Sequence, residues 1–250
     1  VSQSSPTGTQ YLQAVGAAFA LKRDKSKSVV YVSSGEGSTS QGDFHEALNW
    51  ASRTKAPLIF HIQDNEYAIS THRSDQTADS IYAMVSGYRN LSRYDVDGTN
   101  FFETHMAFNT AVDTTRKGKG FTLIVSDVVR LLPHSSSDDQ RKYRSEGELE
   151  SDRQRDPLIK FANDCIEAGI AKQEDFDLIQ TQVKEQVDDD SEWAEAQPDP
   201  NPNDKMKNVF LHSKYDSILE PPANAGEKIV LVDAINHALD EEMAHNELMV

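Results

Sequence analysis

Three short runs of β-branched and aromatic residues constrain this chain most: "SVVYVSS" (Ser28–Ser34), "PLIFHIQ" (Pro57–Gln63) and "FTLIVSDV" (Phe121–Val128). Each is bounded by polar or turn-forming residues, the pattern of a strand buried on both faces. Between them lie stretches with helical periodicity. Asp43–Lys55 sets Phe44, Ala47, Leu48 and Ala51 at i, i+3, i+4 and i+7, with Pro57 at its exit and Asp43 and Glu46 spaced as a capping box. Phe101–Lys117 also reads as a helix, as does Thr9–Arg23, which sets Leu12, Val15 and Phe19 on one face. Ala14, Gly16, Ala17, Ala18 and Ala20 keep that first helix slim, so a neighbouring backbone can approach it. Strands alternating with helices predict an α/β fold, a mostly parallel sheet covered by helices on both faces. Such sheets bind ligands beyond the carboxyl ends of their strands, so the residues that follow each run are the candidates for a site.

After Val129 the pattern changes. Arg130–Asp152, "RLLPHSSSDDQRKYRSEGELESD", is polar and has no apolar period, which predicts a long loop. Helical patterns resume at Asp156–Ala168 and Glu174–Val187. Asp188–Asp204, "DDDSEWAEAQPDPNPND", is acidic and proline-rich and reads as an extended linker. "KIVLVDAINHALDEEMAHN" then opens a new strand-then-helix unit. The chain therefore divides into 1–187, a linker over 188–226, and 227–250.

With 25 basic residues against 41 acidic ones, the net charge of −16 disfavours nucleic acid and anionic membranes as partners. The one basic cluster, "RKGKG" at Arg116–Gly120, reads as a solvated helix end. No apolar run approaches bilayer-spanning length, and the start "VSQSSPTGTQ" lacks the basic head of a signal peptide. Cys165 is the single cysteine and has no internal partner, which fits a reducing, cytoplasmic setting.

The first strand run leads into "GEGSTSQGDFHEALNW", which places Glu36 between two glycines just ahead of a helix. Asn65, in "QDNEYAIS", stands 30 positions after Gly35 at the end of the next strand run. Successive ends of a parallel sheet lie side by side, so Glu36, Asn65 and the backbone near Tyr67 share one small volume. A carboxylate, an amide oxygen and a carbonyl form a hard-oxygen set suited to Mg²⁺, which completes its shell with phosphate oxygens and water. Gly35 and Gly37 allow close approach of a ligand to the backbone. A metal between them would reconcile a phosphate site with a negative side chain at its centre. By itself a glycine pair after a strand is most often a turn, and the third glycine is too distant for the dinucleotide fingerprint.

The same residues resemble the thiamine-diphosphate motif, which opens with GDG or GEG and closes with an asparagine at that distance. "SSPTGTQYLQAVGAAFALKR", "GEGSTSQGDFHEALNWA", "NEYAIS", "YDVDG" and "HSSSDDQRKYRS" are similar to successive landmarks of one family: the α part of the E1 component of 2-oxo acid dehydrogenases. The glutamate in GEG points to the branched-chain, 2-oxoisovalerate type. The similarity runs over Ser4–Asp204, and 227–250 resembles the opening of the family's β part, as in a single-chain α–β fusion.

The resemblance implies a thiamine-diphosphate-binding fold over 1–187, incomplete at its N-terminus. It implies oxidative decarboxylation of a branched-chain 2-oxo acid, with acyl transfer to a lipoyl group of E2. Glu36, Asn65 and the Tyr67 carbonyl would bind Mg²⁺. Gly35, Gly37 and Ser38 would line the diphosphate, with Gln63 at its edge and Ile69 against the cofactor. Ser5 and Thr7 match cofactor-contacting positions, and Ser4, Pro6, Thr9 and Gln10 match a K⁺ site of some relatives. His134 matches the histidine that faces the cofactor and helps bind or stabilise reacting species. Ser135 and Ser145 match serines phosphorylated in some relatives. The implied partners are the β part and lipoylated E2, with a homo-oligomer for the complete enzyme; the glutamate that activates the cofactor belongs to the β part, so this chain alone is expected to be inactive.

Several positions depart from the family pattern. Gln63 replaces an arginine, Asp64 replaces the first asparagine of a pair, and Glu66 replaces a glycine, which predicts a negative φ there. Pro133 replaces a second histidine. His45, His61, His72 and His105 lack ligand spacing and read as surface or hydrogen-bonded histidines. Two other classes fit less well. One is a different thiamine-diphosphate enzyme (acetoin or pyruvate dehydrogenase E1, or transketolase-like). The other is a non-catalytic assembly module, against which the retained Glu36, Asn65 and His134 argue.

Overall fold

A computed structural model describes residues 5–207 and 229–249. In chain order its elements are α1 (Thr9–Arg23), β1 (Val30–Gly35), α2 (Gly42–Thr54), β2 (Leu58–Asp64), β3 (Tyr67–Ala68), β4 (Thr71–His72), α3 (Arg73–Gln76), α4 (Ile81–Met84), β5 (Leu91–Asp97), α5 (Phe101–Arg116), β6 (Phe121–Asp127), α6 (Glu146–Gln154), α7 (Pro157–Glu167), α8 (Gln173–Glu195) and α9 (Leu231–His245). Four strands form a parallel sheet in the order β1-β2-β6-β5, and β3 and β4 form a small antiparallel hairpin. Contacts group the chain into residues 1–187 and 188–250.

Strand alternation assigns the two faces of the sheet. Leu58, Phe60 and Ile62 of β2, with Phe121, Leu123 and Val125 of β6, join Tyr11, Phe44 and Leu48 in one core under α1 and α2. Ile59 and Ile124 point the other way, onto Ala107 and Ala111 of α5. Helices cover both faces, as the alternation of elements predicts. In α2 the expected Phe44, Ala47, Leu48 and Ala51 are all buried. The expected capping box does not form there, because the helix already starts at Gly42 with Gln41 as N-cap, and Asp43 lies inside the first turn, where its charge complements the helix dipole.

In α1 the buried face is Tyr11, Ala14, Val15 and Ala18, while Phe19 is 39% exposed. Small side chains let this helix lie close to β1 and α2, so the alanine stripe faces inward and the larger Phe19 is displaced to the rim. Strand β5 lacks an apolar run. It is an edge strand with Val96 as its one buried residue, and its pairing with β6 overrides a charged sequence.

The long loop expected over 130–152 is cut short by α6, which begins at Glu146 behind a capping box in which Ser145 and Glu148 satisfy each other's backbone N–H. The linker expected from Asp188 begins later, because α8 continues to Glu195: the acidic run includes Glu and Ala helix formers and has no proline until Pro198. The strand expected within "KIVLV" does not form among the described residues, since Leu231 and Val232 open α9. Among the described residues no helix is long and apolar enough to cross a membrane.

Candidate functional site

Because β1, β2 and β6 run parallel, Glu36, Asn65 and the segment after Asp127 all leave the same edge of the sheet, with Gly35 paired to Gln63 and Asp64 paired to Asp127. Glu36 opens a 3-10 turn (Glu36–Ser40) and is 1% exposed. Its Oε2 accepts the Asn65 backbone N–H at 3.3 Å. Burial raises the Glu36 carboxyl pKa; nearby backbone N–H groups oppose the shift, and the charge on Asp64 adds to it. Among the described residues no cationic side chain pairs with Glu36. A buried carboxylate without a counter-charge is costly, and a cation at this place would relieve it.

The neighbouring oxygens suit such a cation. Asn65 Oδ1 accepts the Tyr67 N–H at 3.1 Å, folding the amide over the turn beside Glu36. The Tyr67–Ala68 strand packs against the Glu36–Ser40 turn. A Cβ on Gly37 would lie 2.7 Å from the Ala68 Cβ, so here glycine is required by the hairpin rather than by a ligand. Among the described residues no three His, Cys, Asp or Glu side chains gather as a metal cluster. The available set is one carboxylate with neutral oxygens, the chemistry of a Mg²⁺ site that shares its shell with phosphate.

The starts of α1 and α2 meet beside this turn, where a Cβ on Gly8 would lie 3.0 Å from the Gln41 Cβ. Neither helix has a side-chain cap; the Tyr11 and Phe44 N–H groups bond the Gly8 and Gln41 carbonyls, which leaves the first two N–H groups of each helix for an anion. Ser5 and Thr7 are exposed just ahead of α1, whereas Thr9 Oγ1 donates to the Pro6 carbonyl at 2.9 Å and Gln10 is half-buried. Ser4 lies outside the described residues. The Ser38 hydroxyl is already engaged, donating to the Gly35 carbonyl at 2.7 Å and lying 2.5 Å from the Tyr11 hydroxyl. Gln63 is exposed at the end of β2.

The turn after β2 differs from its sequence expectation. Glu66 has φ 68°, so the glutamate adopts the left-handed conformation that a glycine would favour. Ile69 has φ 58° and is 52% exposed at the tip of the β3–β4 hairpin, a strained conformation for a β-branched residue. The Ile69 carbonyl accepts Arg130 Nη1 at 2.7 Å.

His134 is exposed in the segment after β6, and its backbone N–H donates to Asp138 Oδ2 at 2.9 Å. Asp138 also accepts the Tyr143 hydroxyl at 2.6 Å, and Arg130 Nη2 donates to that hydroxyl at 2.7 Å. Hydrogen bonds thus run from the His134 backbone through Asp138, Tyr143 and Arg130 to the hairpin. Tyr67 is held from the same side, its hydroxyl donating to Glu148 Oε1 at 2.9 Å and its ring facing the guanidiniums of Arg130 and Arg144. Sequence periodicity carries no signal for these partners, because they lie in the polar segment, and the bonds that reach the hairpin, Arg130 to Ile69 and Tyr67 to Glu148, join residues 61 and 81 positions apart.

The 2-oxoisovalerate dehydrogenase subunit alpha of Bacillus subtilis is 35% identical over 211 residues, covering 84% of this chain and 64% of the relative. The pyruvate dehydrogenase E1 component subunit alpha of Staphylococcus aureus is 40% identical over 164 residues, covering 65% of this chain and 44% of the relative. A solved transketolase from Campylobacter jejuni aligns with 50% of this chain and 20% of its own, with TM-score 0.44 and 19% identity, a likeness too distant to carry an argument. This chain spans roughly half to two thirds of the curated relatives' length. The family model described as dehydrogenase E1 component matches residues 1–203. That match takes in the sheet, the Glu36–Asn65 pair and the His134 segment, and the chain belongs to the dehydrogenase E1 component family.

Proposed function

We propose that this chain supplies the metal and diphosphate half of a thiamine-diphosphate site. The parent enzyme would oxidatively decarboxylate a branched-chain 2-oxo acid and pass the acyl group to a lipoyl group of E2. The observation that carries this reading is the buried Glu36 carboxylate, which among the described residues lacks a cationic partner and touches the Asn65 turn at the sheet's carboxyl edge.

Glu36, Asn65 Oδ1 and the Tyr67 carbonyl would hold Mg²⁺. The open first turns of α1 and α2, with Gly35, Gly37 and the Ser38 backbone, face the diphosphate; Ser5, Thr7 and Ile69 border the cofactor. When bound there, thiamine diphosphate would supply the nucleophile and electron sink for decarboxylation of the 2-oxo acid. His134 stands on the substrate side as a hydrogen-bonding group toward the 2-oxo oxygen. The remaining machinery belongs to the β part, whose first helix we assign to α9, so this chain is inactive alone. The complete enzyme is read as a cytoplasmic homo-oligomer with lipoylated E2 as its partner.

The GEG glutamate and the broader match to the 2-oxoisovalerate relative favour a branched-chain substrate. The shorter but more identical match to a pyruvate dehydrogenase subunit supports pyruvate as the second reading. Calorimetric titration of thiamine diphosphate with Mg²⁺, with chelator, and into Glu36→Ala tests the site. Binding that requires both Mg²⁺ and Glu36 is expected; Mg²⁺-independent binding, or an unchanged Glu36→Ala, refutes it. A panel of 2-oxo acids on the complete enzyme separates the two substrates.

A further inference from the structure

Asp64 and Glu66, the two acidic departures from the family pattern, flank Asn65 on both sides, and Arg73 grips both. Arg73 Nη1 pairs with Asp64 Oδ2, and Nη2 lies 3.3 Å from Glu66 Oε1. The Arg73 backbone N–H donates to the Glu66 carbonyl at 2.8 Å. Glu66 N–H in turn donates to Asp64 Oδ1 at 3.0 Å, and the Asp64 carbonyl accepts the Val128 N–H at 2.9 Å. Asn65 sits at the centre of this ring, with its own N–H on Glu36 and its Oδ1 on Tyr67 N–H. The one-turn helix that begins with Arg73 also carries Gln76, whose Nε2 donates to the Glu36 carbonyl at 3.3 Å. Among the described residues Arg73 is the one cation lining an adjoining cavity of about 400 Å³, whose other charged residues are Asp64, Glu66, Asp95, Asp97 and Asp127.

We propose that Arg73 is a positioning residue for Asn65, and that Asp64, Glu66 and Arg73 form one clamp that holds Asn65 toward Glu36. This rests on the reading of Asn65 as a metal ligand. A glycine would make the positive φ at position 66 without help. Glutamate makes it here because its carboxylate, carbonyl and N–H are all held by Arg73 or Asp64. The clamp also gives both carboxylates beside Asn65 a shared cationic partner, which offsets one of their two charges.

Charge and positioning predict opposite results. Removing a cation near a divalent metal tightens metal binding by Coulomb's law alone. Removing the support of a metal ligand weakens it by about 10- to 100-fold. The test measures Mn²⁺ binding by electron paramagnetic resonance, with thiamine diphosphate present, on the 250-residue chain. The variants are Arg73→Met, Arg73→Lys and the triple Asp64→Asn/Glu66→Gly/Arg73→Met. The clamp predicts weakening of about 10-fold or more for Arg73→Met. It predicts a smaller loss for Arg73→Lys, and recovery in the triple variant, where glycine takes the positive φ freely. Unchanged or tighter binding in Arg73→Met overturns the proposal, as does a triple variant no better than the single.

Amide hydrogen exchange across residues 64–72, without metal, gives a second readout. Exchange is expected to speed up in Arg73→Met and return to the wild-type rate in the triple variant; equal rates in all three overturn the clamp. A wild-type chain that binds no Mn²⁺ would sink the metal-site reading, while the exchange rates still decide the clamp.

Discussion

His61 gives a pH dependence whose size follows from its surroundings. The ring lies in β2, 7% exposed, with Nδ1 2.8 Å from the Tyr31 hydroxyl and Nε2 2.9 Å from Ser126 Oγ. It packs edge-to-face with Phe108, and among the described residues no carboxylate pairs with it to stabilise a charge. Burial therefore lowers its pKa from the ordinary 6.5 to about 4. In the unfolded chain the ring takes up a proton near pH 6.5, whereas in the folded chain it does so only near 4. Between these values the unfolded state holds more protons, so stability is complete above 6.5 and is lost as pH falls toward 4, with no further loss below. At about 1.4 kcal/mol per tenfold change in proton affinity, the loss through this window comes to about 3 kcal/mol. That is a large share of a typical domain's stability.

The assay is urea unfolding at several pH values across this window, on wild type and His61→Gln. Baseline differences cancel, because the comparison is between slopes against pH. Wild type should lose about 3 kcal/mol more than the variant. Equal slopes would refute the reasoning, as would an imidazole seen by NMR to titrate at or above its ordinary value in the folded chain. Should His61→Gln fail to fold, that NMR titration of wild type decides alone.

Three further outcomes follow from local geometry. Ile69→Gly removes a β-branched side chain from a positive φ and should raise stability by up to about 1 kcal/mol in urea unfolding, while weakening thiamine-diphosphate binding in calorimetry. Gly37→Ala drives a Cβ to 2.7 Å from the Ala68 Cβ; it should cost about 1–3 kcal/mol of stability and weaken Mg²⁺ binding by displacing the hairpin. Ser145→Ala breaks the α6 capping box and should cost about 1 kcal/mol in urea unfolding. The Glu148 carboxyl, held down to about 2 first by Ser145 and then by Tyr67, should move back toward its ordinary range in an NMR titration of that variant.

Local patterns carried most of the framework. The runs that became β2 and β6 are apolar because both of their faces are covered, and that requirement is written residue by residue. The similar run of β1 was expected to be buried on both faces too, but β1 is an edge strand in which Val32 alone is buried and Tyr31 is 53% exposed, because it has a strand neighbour on one side only. The period of α2 is legible for a similar reason, since one stripe meets the core. The Glu36–Asn65 pair was legible through chain order, because strands of a parallel sheet end at one edge. Elements whose stability comes from distant partners were not legible in this way. β5 is a strand because β6 offers it hydrogen bonds, and α1 turns alanines inward because β1 and α2 are close.

The sequence by itself determined three of the four strands of the sheet, the main covering helices and the place where a carboxylate and an amide would meet, because burial periodicity and chain order are local properties. Only the tertiary structure decided how that place is held. The positive φ at Glu66, the grip of Arg73 on Asp64 and Glu66, and the path from Ile69 through Arg130 and Tyr143 to the His134 segment depend on charged and polar side chains meeting across turns. Such pairings have no period along the chain, and their energies arise only once the fold has removed water from around them.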